Sequence, residues 1–149
     1  MVYKFRIISN EVKEFVRDIE IDPDQTFYDF HKALIENFHY DKSQIASFFL
    51  TTDEWEKEQE FTLFDMSEGE NNSTITMDSA VIRDYVKTIK QRLLYLFDFF
   101  NDRALFIELA DILEKTEDTE YPRFTRKQGC PPPQLLMDNL NFEDLDFEE

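Results

Sequence analysis

The stretch RLLYLFDFFNDRALFIELADIL, residues 92–113, decides the fold. Its first half, Arg92 to Phe99, is apolar at odd and even positions alike. A strand reads this way when it is central in a sheet and covered on both faces. Asn101-Asp102 supplies a turn, and Ala104 to Leu113 returns as a partner strand, the last strong core element of the chain.

Working back towards the N-terminus, residues 2–9 alternate, with Tyr3, Phe5 and Ile7 on one side and Lys4 and Arg6 on the other. A turn at Ser9-Asn10-Glu11 leads to a second alternating run, Phe15, Arg17, Ile19 and Ile21 against Val16, Asp18 and Glu20, so the two form a hairpin. Asp22-Pro23-Asp24 ends it. Thr26 is an N-cap with Asp29 three residues on, and Phe27, Phe30, His31, Leu34, Ile35 and Phe38 recur at helical spacing. Ser47 to Leu50 is a further strand. By analogy of fold, strand–strand–helix–strand is a β-grasp-like opening. DEWEKEQE, residues 53–60, sets five carboxylates around Trp55 and reads as a solvated loop or edge strand, followed by a short strand from Phe61 to Phe64. Residues 65–78 read as a mobile surface loop with a short strand near Ile75. Asp78 then caps a second helix that buries Val81, Ile82, Tyr85, Val86 and Ile89.

On the C-terminal side the composition changes. Residues 114–134 hold scattered bases and Cys130-Pro131-Pro132-Pro133, which favours extended backbone and stops a sheet. The segment 135–149, LLMDNLNFEDLDFEE, threads apolar residues through six acids and no base. The expected architecture is therefore α+β: a small mixed β-sheet with two packed helices and a β-grasp-like N-terminal hairpin plus helix. One domain spans 1–134, and 135–149 is a C-terminal tail, flexible or docked.

The 149 residues suffice for one domain with a sizeable core. Acids outnumber bases 33 to 16, a net charge of −17, which repels phosphates and anionic headgroups and favours basic partners. One cysteine cannot close an internal disulfide, and residues 1–15 alternate and form no apolar leader; both features fit a cytoplasmic protein.

Catalytic chemistry finds little support. Phosphate-cradling loops need glycines, and the chain has two. His31, on the apolar side of its helix, reads as a core or core-edge histidine. His31, His39 and Cys130 do not make a zinc pattern, and the Asp65, Glu68, Glu70, Asn71 loop lacks calcium-loop spacing. No cofactor or metal is expected. Asp98, which closes an otherwise apolar strand, is the best single candidate for a special role; its plainer reading is a ligand to backbone amides of the next turn.

Tyr95-Leu96-Phe97-Asp98-Phe99, the acidic turn, and Leu105-Phe106-Ile107-Glu108-Leu109 resemble the plasmid ORF-three-like family, named for an open reading frame on a root-inducing plasmid. That family carries roughly Y-x-Y-D-F-G-D-x-W-x-H-x-I-x-L and a late P-P-E-D. Asp98 and Phe99 match. Phe100, Asn101, Arg103 and Leu105 replace its Gly, Asp, Trp and His, and Pro132-Pro133-Gln134-Leu135 stands at P-P-E-D. The resemblance covers about residues 1–134 and implies a single α+β domain with no established activity, in a divergent branch of Bacteroidetes type. Some members are labelled resolvase-like, but Tyr3, Arg6 and Ser9 do not have the Y-x-R-x-S spacing of a serine resolvase.

The leading expectation is a non-catalytic cytoplasmic interaction module, a monomer or homodimer. It would contact a basic or amphipathic protein partner and bind neither nucleic acid nor membrane directly. Candidate binding residues are Asp98, Trp55, Leu140, Phe142, Leu145 and Phe147. The alternatives are a mobile-element accessory that mimics DNA charge towards a DNA-binding protein, and an enzyme with its site around Asp98.

Overall fold

The computed structural model describes residues 1–64 and 75–136. The expected tail lies outside these residues except for Leu135 and Leu136, as does most of the expected 65–78 loop. The strands are β1 (Val2–Ser9), β2 (Val16–Ile21), β3 (Ser47–Thr51), β4 (Lys57–Thr62), β5 (Ile75–Thr76), β6 (Arg92–Asp98), β7 (Arg103–Leu113) and β8 (Arg123–Gln128). They form one eight-stranded sheet in the order β5-β4-β3-β6-β7-β1-β2-β8. Every neighbouring pair is antiparallel except the short β4–β5 pair. The sheet is mixed and the fold α+β, but the sheet is large and dominates the chain.

The hairpin β1–β2 and the helix that follows stand where the alternation places them. Helix α1 (Phe27–Phe38) starts in a reciprocal capping box: Thr26 Oγ1 accepts from the Asp29 amide at 3.2 Å, and the Asp29 carboxylate accepts from the Thr26 amide at 3.0 Å. The helix buries Phe27, Phe30, His31, Leu34 and Phe38 against one face of the sheet. There Phe27 stacks on Phe61 at 4.4 Å between ring centroids, and Phe30 packs on Phe5 and Phe48. β1 alternates in burial from Phe5 to Ile8 because one face meets this core and the other is exposed, whereas β2 is buried on both faces from Arg17 to Ile21, Asp18 and Glu20 included.

Three sequence expectations are corrected. The second helix shrinks to a 3₁₀ turn (Met77–Ser79) and a single turn α2 (Ile82–Tyr85). Val81 is instead bridged to Thr26, and the Ile82 amide donates to Gln25 O, so extended backbone interrupts the helix. β-Branched Val81, Ile82 and Val86 lose side-chain freedom in a helix and resist this extension little. Second, of the two readings open for the acidic run, solvated loop or edge strand, the strand holds from Lys57 on, and it runs on to Thr62 as one strand, β4, rather than as a separate strand from Phe61 to Phe64. Third, β8 pairs with β2 although no alternation marks it: RFTRKQ lies on the sheet edge, mostly exposed, and buries little beyond part of Phe124.

β6 is central as expected, but no element covers the second face of the sheet among the described residues. Its apolar side chains there are shielded by neighbours. Phe49, Leu94, Phe106 and Ile8 stand side by side across β3, β6, β7 and β1, with Trp55 edge-on against Phe106. Beside this band the registers place Arg92, Glu108, Arg6, Asp18 and Arg126 in one row of alternating sign, and Asp111, Lys4, Glu20 and Arg123 in the next. Arg6 meets Asp18 at 2.8 Å and Arg123 meets Glu20 at 3.0 Å. Opposite charges on facing strands stabilise the pairing, and the open face stays polar.

Candidate functional site

Asp98 ends β6 and binds the turn that follows. Its carboxylate accepts from the Asn101 amide at 3.3 Å, from Asn101 Nδ2 at 3.0 Å and from Arg103 Nη1 at 3.0 Å. Burial pushes its pKa up, but the hydrogen bonds from Asn101 and Arg103 outweigh burial and hold it below the usual carboxylate range. Arg103 is buried and takes a bidentate Glu11 carboxylate at 2.8 and 2.9 Å. It also donates to Pro133 O and Gln134 O at 2.7 and 3.1 Å. Thus Asp98, Asn101, Arg103, Pro133 and Gln134, separated by some thirty positions in sequence, meet in space. They occupy the positions at which the chain was aligned to the Y-x-Y-D-F-G-D-x-W and P-P-E-D patterns, and here Arg103 closes the cluster on itself.

Trp55 sits apart from this cluster. It has a positive φ of 68° at the tight turn between β3 and β4. Its ring packs against Phe106, with the Arg92 guanidinium 4.7 Å from the ring centroid. It borders a hollow of about 440 Å³ that includes Arg103 but not Asp98 among its lining residues. Leu140, Phe142, Leu145 and Phe147 lie outside the described residues.

A groove of about 1020 Å³ runs along α1, a place that the sequence pattern does not single out. One wall is the helix stripe Tyr28, His31, Lys32, Ile35, Glu36 and His39, next to the stripe that faces the core. Leu63 and Phe64 after β4, Asp78, and Tyr40 and Lys42 after α1 complete it. Tyr28 and Phe64 are among the exposed large hydrophobic residues of the chain. Lys32 lies 5.5 Å from the Tyr28 ring centroid, and neither Lys32 nor Lys42 has an ion-pair partner among the described residues. The available signal was the helical wheel. Tyr28 and Ile35 widen the apolar face of α1 beyond what the core alone needs.

His31 forms part of the groove floor and is 3% exposed. Its Nδ1 is 2.9 Å from the hydroxyl of the fully buried Tyr95, while Nε2 has no hydrogen-bond partner among the described residues. Burial lowers its pKa to about 4, so the ring is neutral near pH 7. With the tautomer assigned so that the Tyr95 hydroxyl donates to Nδ1, the ring proton sits on Nε2. Burial in turn raises the Tyr95 pKa. Among the described residues no three His, Cys, Asp or Glu side chains converge as metal ligands, and Cys130 is an exposed free thiol. No helix of the described residues is long and apolar enough to cross a membrane.

An eight-stranded sheet with one long helix on one face, and a strap of residues 131–136 tied to the β6–β7 turn, defines a sheet-dominated α+β protein. The model of the plasmid pRiA4b ORF-3-like protein family matches residues 1–136, and the chain belongs to that family. Among solved structures it is similar to a protein of unknown function, MM3350, from Methanosarcina mazei Go1. The identity is 22% and the TM-score 0.65, over 85% of this chain and 68% of that one, a likeness of fold. No curated protein matches the chain.

Proposed function

We propose that the chain is a non-catalytic protein-interaction module that holds an amphipathic segment of a partner protein in the groove along α1. The observation that carries this is His31: a buried imidazole with only one nitrogen hydrogen-bonded among the described residues, lining a groove walled by Tyr28, Ile35, Leu63 and Phe64 and edged by Lys32 and Lys42, which have no ion-pair partner among those residues. Apolar walls with a few fixed polar groups suit a segment with apolar side chains and carboxylates. The basic partner expected from the net charge is set aside at this site in favour of the amphipathic one.

Other readings fit less well. A general base works best with a pKa near the working pH, and His31 titrates far below it. The Asp98 carboxylate is occupied by Asn101 and Arg103, which speaks against the enzyme reading there. The described sheet face alternates in sign, unlike the single-sign row that DNA mimicry requires.

The test is site-specific photocrosslinking in the native host, with the crosslinker at Tyr28 or Ile35 and, as comparison, at Phe106 on the open sheet face. A discrete crosslinked polypeptide from the groove positions, weakened by Lys32→Glu with Lys42→Glu, is the expected result. Crosslinks from Phe106 and none from the groove would move the interface to the sheet.

A further inference from the structure

We infer that the first occupant of this groove is the chain's own C-terminal segment, residues 137–149, which covers the site until a partner displaces it. The inference rests on the groove being a binding site and adds how it is regulated. Three observations carry it. The first is where the chain leads. Tyr40 Oη donates to Pro132 O, the Asp41 amide donates to Gln134 Oε1 at 2.7 Å, and Gln134 Nε2 donates to Asp41 O at 3.1 Å. Tyr40 and Lys42 border the groove, so Pro132 and Gln134 hold the strap beside it a few residues before the segment begins.

The second is length. Thirteen further residues reach at most about 45 Å when extended, and the twelve-residue helix that walls the groove is about 18 Å long. The third is chemistry. Leu140, Phe142, Leu145 and Phe147 alternate with six carboxylates. The groove offers apolar walls, His31 Nε2 and the Lys32 and Lys42 ammonium groups, none of which has a hydrogen-bond or ion-pair partner among the described residues, with Glu36 and Asp78 also on its rim. The other concentration of bases, Arg123, Arg126 and Lys127 on β8, borders no comparable apolar hollow among the described residues. A short tether holds the segment at about millimolar effective concentration, so a weak contact suffices to keep the groove filled. A partner's apparent affinity falls by the fraction of the chain left open.

The experiment uses the full chain. Cys130→Ser removes the exposed thiol, Asn141→Cys carries a nitroxide spin label, and amide signals are compared with the label oxidised and reduced. The expected result is selective loss of the Lys32, Ile35 and Phe64 amide signals, relieved by Lys32→Glu with Lys42→Glu and by Leu140→Ser, Phe142→Ser, Leu145→Ser, Phe147→Ser. Loss centred on β8 or on Trp55 and Phe106, or no selective loss, overturns the inference. So does loss that appears only when labelled and isotope-enriched molecules are mixed, because the segment then docks on a second copy. None of these outcomes touches the photocrosslinking result. Conversely, a filled groove with no partner crosslink sinks the partner reading and leaves this inference standing.

Discussion

His31 makes stability depend on pH in a window set by one side chain. Its folded pKa, about 4, lies below the unfolded value of 6.5. The unfolded chain therefore takes up the proton first, and the neutral ring stabilises the fold fully only above about pH 6.5. Stability falls as pH drops from there towards 4. At about 1.4 kcal/mol per pH unit, the loss is about 2 kcal/mol by pH 5 and about 3 kcal/mol by pH 4. The same titration relieves repulsion in a chain of net charge −17, and that acts in the opposite direction. The difference between wild type and His31→Gln isolates the histidine, because Gln can still bond the buried Tyr95 hydroxyl but does not titrate. Urea unfolding of both proteins at pH 7.5, 6, 5 and 4 should show the wild type losing its advantage by these amounts. An imidazole that titrates above pH 6 by NMR, or pH profiles that run parallel for the two proteins, would refute the argument.

Three further outcomes follow from the packing, each read by urea unfolding at neutral pH. Arg103→Met strands the buried Asp98 carboxylate and frees Pro133 O and Gln134 O, and should cost about 3 kcal/mol or more; adding Asp98→Asn should restore part of it. Thr26→Ala removes the capping box of α1 and should cost about 1 kcal/mol. Gly129→Ala forces a Cβ to 2.7 Å from Glu14 O at a φ of +74°, and should cost more than about 1 kcal/mol and loosen β8 from β2.

The legible parts of the fold were those with a period. β1, β2, α1, β3, β6 and β7 each carry an apolar repeat or run because each buries a face in the common core. β8 was illegible because an edge strand adds hydrogen bonds and charge pairs but almost no apolar burial, so RFTRKQ holds its place by pairing with β2 rather than by a hydrophobic face. The second helix was overread for the opposite reason: Val81, Ile82, Tyr85 and Val86 have helical spacing, yet a bridge at Val81 and extended backbone at Val86 serve the same core better. At the site, Asp98 was visible as a polar residue ending an apolar strand. Its partners Glu11, Pro133 and Gln134 were not, because nothing local signals a contact over such separations. The α1 groove was not legible because the helical stripe counts Ile35 as core and leaves out Tyr28, and Leu63, Phe64 and Asp78 come from a distant stretch of sequence.

The charge itself is unevenly placed, and this changes what it says about partners. Nine of the 33 acids and none of the 16 bases fall in residues 65–74 and 137–149, so the described residues hold 24 acids against 16 bases, a net −8. Within the described residues several bases are paired locally: Arg6 with Asp18, Arg123 with Glu20, and Arg103 between Asp98 and Glu11. A net charge of −17 therefore does not describe one uniformly acidic surface on which any cation docks. It describes a moderately acidic, internally paired body joined to segments whose acids have no bases of their own in sequence. Such a segment lowers its self-repulsion by approaching cations, and Lys32 and Lys42, with no ion-pair partner among the described residues, stand beside an apolar groove near the C-terminal strap. The acidity of this chain is thus as much a property that its own groove can use as a signal to a basic partner.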